Sequence, residues 1–123
     1  MKINKPIIAI SAGDPAGIGP EITVKSLNNS AIYKNARPLV ICDSEVIKKA
    51  INFCRLNLKI NCLENPEEGI YEFGVIDVLD MKNVDFKDFT FGNVSGKLGR
   101  ASFEYVQKVI QLALAGKVDA TVT

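Results

Sequence analysis

Three glycines, Gly13, Gly17 and Gly19, punctuate the stretch Gly13-Asp14-Pro15-Ala16-Gly17-Ile18-Gly19 in the form G-x-x-x-G-x-G. Glycine lets a backbone N–H approach an anion closely. Pro20 and Glu21, next in line, suit the first turn of a helix, whose free N–H groups carry partial positive charge. One chemistry this could serve is dinucleotide binding, with Asp43, at the end of the apolar run Leu39-Val40-Ile41-Cys42, taking a ribose hydroxyl. Two features count against it. Asp14 and Pro15 put a negative charge and a rigid ring where a pyrophosphate would sit, and there is no Tyr-x-x-x-Lys pair, Tyr105 and Lys108 being one residue too close. The plainer alternative is a glycine turn that only gives tight entry into the helix. Asp14 has two roles open to it: orienting a substrate or a group that touches one, or capping its own loop. Glu104, Tyr105 and Lys108 could be taken for an acid/base set, but helical spacing reads Tyr105 as packing and the two charged residues as solvated neighbours.

Other side-chain chemistry is bounded by a zero: the 123 residues contain no histidine. A Ser-His or Cys-His nucleophile pair, an imidazole base and a His-ligated metal cannot be built from this chain alone. Catalysis would run on Asp, Glu, Lys, Tyr, Cys or a bound metal and cofactor. Cys42, Cys54 and Cys62 are odd in number, lack C-x-x-C spacing and sit in apolar runs. They read as buried thiols in a reducing cytoplasm. The formal net charge of +1 advertises neither nucleic acid nor membrane as a partner. No secretion signal is read at the start, and no run of about 18 apolar residues suggests a membrane span.

The elements that must position these residues are short. Residues 7–11 and 39–42 read as strands buried on both faces, with further strands at 58–63 and 75–79 and a strand start at 119–123. Helices are predicted from Pro20 to a polar stop at Asn28-Asn29-Ser30, after an N-cap at Asp43 or Ser44, and from after Ser95 to Gly116. Residues 64–72 read as a polar turn and residues 80–97 as a long polar loop, a length that often marks function. The last helix carries two apolar stripes, Phe103, Val106, Ile110, Ala113 and Leu114 on one side, Tyr105, Val109 and Leu112 on another. Two stripes predict burial against a sheet and against something else.

Alternating strands and helices argue for an α/β fold with a mostly parallel sheet and flanking helices. Residues 1–62 carry nine basic and four acidic side chains, and residues 63–123 carry six and ten. The acidic excess of residues 64–88 reads as a solvated face. The chain stops inside or at the end of an apolar strand, where nothing caps the backbone, so the expectation is a part of a longer polypeptide.

The whole string is more specific than its glycines. Ile8-Ala9-Ile10-Ser11-Ala12-Gly13-Asp14-Pro15-Ala16-Gly17-Ile18-Gly19-Pro20-Glu21 resembles the N-terminal signature of the 4-hydroxythreonine-4-phosphate dehydrogenase family, in which G-D-P-A-G-I-G-P-E follows the first strand. Residues 92–106, from Gly92 through Ala101-Ser102-Phe103-Glu104-Tyr105-Val106, and Ala115-Gly116-Lys117-Val118-Asp119-Ala120-Thr121-Val122-Thr123 are similar to that family too. The likeness covers the whole chain and is loose over residues 29–87.

The resemblance implies a cytoplasmic homodimeric oxidoreductase with an isocitrate/isopropylmalate-dehydrogenase-like fold, of which residues 1–123 would be the N-terminal part. It implies NAD, or NADP in its place, and a divalent metal cation that polarises the substrate's oxygens. The partner is a small phosphorylated hydroxy acid: 4-phosphohydroxy-L-threonine, in pyridoxine and pyridoxal phosphate biosynthesis, or a related four-carbon sugar-acid phosphate, which loses carbon dioxide after oxidation. The family's metal ligands are histidines, so none maps onto a position here, and no catalytic or cofactor residue is assigned. What carries over is a substrate-proximal loop of Asp14, Gly17 and Gly19, with the amides near Gly17 and Gly19 facing an anionic ligand. The alternative from another class is a stand-alone α/β module that holds an anionic or phosphorylated ligand at residues 13–19 without catalysis.

Overall fold

The computed structural model describes residues 5–84 and 96–123. Five strands form one parallel sheet in the order β3-β4-β2-β1-β5, with β1 at Ile7–Ser11, β2 at Arg37–Cys42, β3 at Lys59–Leu63, β4 at Val75–Asp80 and β5 at Ala120–Val122. The register is continuous: Ile10 lies between Val40 of β2 and Val122 of β5, and Val40 in turn pairs with Val78 of β4. The central strands are apolar runs because both faces are covered. Leu39, Val40, Ile41, Ile76 and Val78 are all fully buried, and each such side chain contributes about 1.5–3 kcal/mol.

Helices α1 (Gly19–Leu27) and α3 (Ser44–Phe53) pack against each other on one face of the sheet. Helix α4 (Gly96–Leu114) lies over β1, β2 and β5, on the opposite face, as a right-handed crossover from β4 to β5 requires. Pro20 sits at the start of α1 with Glu21 in its first turn, and Lys25 one turn on bonds Glu21 at 2.8 Å.

Three expectations change, and a fourth, the two-sided burial of α4, is met on the sheet side. After the polar stop at Asn28 the chain makes another short helix, α2 (Ser30–Asn35), because the Asn29 side chain accepts the Ala31 N–H at 3.0 Å and caps it. Of the three cysteines only Cys42 is buried; Cys54 is half-buried and Cys62 exposed, since β3 is an edge strand. The acidic stretch is not uniformly solvated, since Asp77 is 1% exposed in β4. Of the two α4 stripes, Tyr105, Val109 and Leu112 are buried with Leu98 and Ala101, whereas Phe103, Ile110 and Leu114 are exposed. Much of the predicted loop at 80–97 lies outside the described residues.

Candidate active-site crevice at the carboxyl edge

In an open parallel sheet, ligands bind beyond the carboxyl ends of the strands, where neighbouring connections leave in opposite directions. Here the connection after β2 leaves to α3 on one face and the connection after its neighbour β4 leaves to α4 on the opposite face, so the divergence falls between β2 and β4. The glycine loop follows the neighbouring β1. An apolar groove of about 440 Å³ runs beside it, with Ile10, Ile22 and Val122 on its walls and Ser11, Gly13 and Thr123 at one end.

The loop is locked by its own backbone. Gly13 has φ +77, which an L side chain rarely adopts. Gly19 lies so close to β1's exit that a Cβ there would stand 1.8 Å from the Ala12 carbonyl oxygen. Asp14 Oδ1 accepts the Ala16 N–H at 2.9 Å, and the Asp14 carbonyl accepts the Gly17 N–H at 2.9 Å. So the Gly17 amide turns inward rather than toward a ligand, and one carboxylate oxygen of Asp14 is engaged in an Asx turn. The start of α1 keeps its N–H groups without a side-chain cap, its N-cap being Ile18. Thr23 Oγ1 donates back to the Gly19 carbonyl at 2.8 Å, tying the first turn down.

The rest of the carboxyl edge is laced by aspartates. Asp43 stands at the N-cap of α3, where its carbonyl accepts from Val46 and Ile47, but its carboxylate does not cap that helix. Oδ1 accepts from the Tyr105 hydroxyl at 2.8 Å, and Oδ2 from the Val84 N–H at 2.7 Å. The Tyr105 oxygen also accepts the Asp43 N–H at 3.2 Å. Asp80, from β4, takes over the capping: its carboxylate accepts the Ser44 N–H at 3.1 Å and the Ser44 hydroxyl at 2.8 Å, and also the Lys82 N–H at 3.2 Å. Asn83 donates to Glu104. Tyr105 is therefore both packing and a specific partner, and Glu104 is bonded and half-buried rather than a free solvated neighbour. Burial pushes the Cys42 thiol up to about 12. Burial, then Cys42 and Asp43, raise Tyr105 well above its ordinary value, so its hydroxyl stays a donor.

Asp77 binds elsewhere, its oxygens accepting from the Asn61 amide at 2.8 Å and from the N–H groups of Ile70 and Tyr71 at 2.9 and 2.8 Å. A carboxylate inside Val-Ile-Asp-Val-Leu was itself the signal for a buried, fully partnered acid. Asp80, Lys82, Glu64 and Glu68 line a polar cavity of about 570 Å³.

The described residues contain no group of three or more His, Cys, Asp or Glu that could hold a metal ion. Nor does the loop suit a pyrophosphate: Asp14 is in it, the Gly17 amide is engaged, and the Asp43 carboxylate that a ribose would need is held by Tyr105 and Val84. Among the described residues no helix is long and apolar enough to cross a membrane.

Comparison with known proteins places this arrangement. Residues 34–123 match the family described as Pyridoxal phosphate biosynthetic protein PdxA. A relative from Clostridium botulinum, provisionally named D-threonate 4-phosphate dehydrogenase, is 46% identical over 120 residues, covering 98% of this chain and 36% of its own length. The 4-hydroxythreonine-4-phosphate dehydrogenase of Burkholderia phymatum superimposes with a TM-score of 0.92 at 37% identity, over 97% of this chain and 36% of that one. That of Klebsiella pneumoniae gives 0.87 at 29% identity, over 95% and 36%. The chain thus spans about a third of the length of the proteins it matches. It belongs to the PdxA family.

Proposed function

We propose that this chain is the N-terminal part of an NAD- or NADP-dependent dehydrogenase that oxidises a 4-phosphorylated four-carbon hydroxy acid, whose product then loses carbon dioxide. The observation that carries the reading is the 46% identity over 98% of the chain to a protein named for D-threonate 4-phosphate, which makes that compound the first substrate to test. 4-Phosphohydroxy-L-threonine, the substrate in the names of the structural relatives, is the second. Among the described residues no cluster of His, Cys, Asp or Glu could hold a metal ion. In this proposal the metal and cofactor are held by residues outside this chain, in a cytoplasmic homodimer.

This chain's own contribution is the wall of the groove along β1 and β5. Asp14 and Gly19 shape the loop, and the uncapped start of α1 offers N–H groups to a phosphate or carboxylate. Gly17 acts by bracing the loop through the Asp14 carbonyl.

The test is turnover by the full-length polypeptide with NAD or NADP, a divalent metal and each phosphorylated acid, followed by absorbance of the reduced cofactor. Faster reduction with D-threonate 4-phosphate than with 4-phosphohydroxy-L-threonine supports the first substrate, and the reverse order supports the second. Ligand binding at the loop without reduction of either cofactor would replace the enzyme by an anion-binding module.

A further inference from the structure

Helix α4 has two opposite apolar faces of similar strength. At 100° per residue, Leu98, Ala101, Tyr105, Val109 and Leu112 lie on one side, and Phe103, Ile110 and Leu114 on the other. Tyr105 is 0% exposed, while Phe103, Ile110 and Leu114 are 62%, 51% and 84% exposed. The exposed face carries side chains as large and as apolar as the buried one, so burial of apolar area does not by itself decide which face meets the sheet. A half-turn of the helix about its axis would bury Phe103 and Ile110 instead.

One feature breaks the tie. Asp43 is 2% exposed at the end of β2, and its carboxylate needs donors. Only the observed face offers one, the Tyr105 hydroxyl at 2.8 Å, which also accepts the Asp43 N–H at 3.2 Å. In the turned helix Oδ1 of Asp43 and the Asp43 N–H would be buried without these partners, the Val84 N–H serving Oδ2 alone. We propose that the Asp43–Tyr105 pair selects which apolar face of α4 packs on the sheet, which makes Tyr105 a positioning residue for β5 and for the crevice beside it.

The link to the crevice is the chain itself. α4 runs through the left-handed Gly116 (φ +72) to Val118 and then β5, whose Ala120–Val122 pair with Ile8–Ile10 just before the glycine loop. Turning α4 moves the point where β5 begins, and a shift of one residue in β5 would exchange its two faces. A polar pair in a buried face costs desolvation, and fixing one arrangement out of two is the best-attested return on that cost.

The experiment places a single thiol at Val109 of the full-length polypeptide freed of its other cysteines, Cys42→Ala, Cys54→Ser and Cys62→Ser among them, and follows its labelling under native conditions. A second protein carries the thiol at Ala50, which is buried on α3 across the sheet and reports opening of the whole fold. With Tyr105 present, both thiols are protected. Tyr105→Phe keeps the volume and removes the hydroxyl; it raises the Val109→Cys labelling rate by about tenfold or more while leaving Ala50→Cys protected, a hydrogen bond to a buried carboxylate being worth about that factor. Asp43→Asn shifts the same reporter in the same direction. The decisive arm is rescue: adding Phe103→Gln and Ile110→Gln to Tyr105→Phe makes the competing face polar and restores protection at Val109. Failure of that rescue overturns the proposal, as does unchanged labelling in Tyr105→Phe. Loss of protection at Val109 and Ala50 together assigns Tyr105 to general stability and overturns it equally.

Discussion

The two halves of the sheet's carboxyl edge use the same residue type in opposite ways. Beyond β1, Asp14 is half-exposed and, among the described residues, bonds within its own loop, to Ala16 and Gly17. Beyond β2 and β4, Asp43 and Asp80 reach across elements, Asp43 to Tyr105 and Asp80 to Ser44, over separations of 62 and 36 residues. The first half holds its shape by glycine geometry and leaves its helix start open. The second closes on itself, and every buried side-chain polar atom among the described residues has a partner. A crevice able to receive a ligand belongs to the first kind of construction, a rigid junction to the second.

Breaking the glycine half is expected to have the largest effect. Gly19→Ala places a Cβ against the Ala12 carbonyl oxygen, with backbone on both sides and no side chain able to yield. The expected loss is about 4 kcal/mol or more, or failure to fold. The midpoint of chemical denaturation measures it, and a loss below about 1 kcal/mol would mean that the close approach is relieved by a small shift of the loop.

Next comes the acid buried inside β4, away from both halves of the carboxyl edge. Asp77→Ala strips the acceptor from the Ile70 and Tyr71 N–H groups and from Asn61, at an expected cost of about 3 kcal/mol. Asp77→Asn keeps the shape but turns one acceptor into a donor facing N–H groups, so it recovers only part of the loss. Full recovery with Asn, read by the same denaturation midpoint, would show that charge and acceptor number are immaterial there.

Alkali probes the closed half at Cys42, and the far edge of the sheet at Tyr33 and Tyr71, without mutation. Burial pushes Cys42 up to about 12 from an ordinary 9, and Tyr33 and Tyr71 up to about 12 from an ordinary 10. These groups lose a proton in the unfolded chain first. Their contribution is therefore fully present below about pH 9 and is lost as pH rises from 9 to 12. Tyrosinate absorbance should lag behind that of free tyrosine and then rise together with unfolding. Ionisation of all three tyrosines near pH 10 in a folded chain would contradict the burial of these hydroxyls.

How much of this was legible follows the range of each interaction. The glycine loop, the Pro20 helix start and the central strands are written locally, in φ requirements and apolar runs, and the sequence reading placed them. The α2 helix needed only Asn29 as cap, but a polar Asn-Asn-Ser run reads equally well as a stop. Asp43 was legible as an N-cap position; that Asp80 would do the capping and leave the Asp43 carboxylate for Tyr105 depends on a strand order no local pattern contains. The same holds for Cys62, whose apolar setting is real but whose strand turned out to be an edge. The choice between the two α4 stripes could not be made from periodicity, since both have the right period.

The smallest expected effect separates the two roles that the sequence left open for Asp14. Asp14→Ala removes the acceptor for the Ala16 N–H and is expected to cost about 1 kcal/mol, typical of a lost local cap. Asp14→Asn retains a side-chain carbonyl at the same distance and can rebuild the Asx turn, so stability returns in either case. Activity of the full-length polypeptide then decides. If Asp14 only caps its loop, the Asn variant turns over like the parent. If its charge orients the substrate or a group that touches it, the Asn variant is as stable as the parent but loses kcat/KM by about tenfold or more, about 1.4 kcal/mol of transition-state stabilisation. The pair of measurements assigns the residue because a neutral, isosteric acceptor satisfies the Ala16 N–H and cannot replace a negative charge.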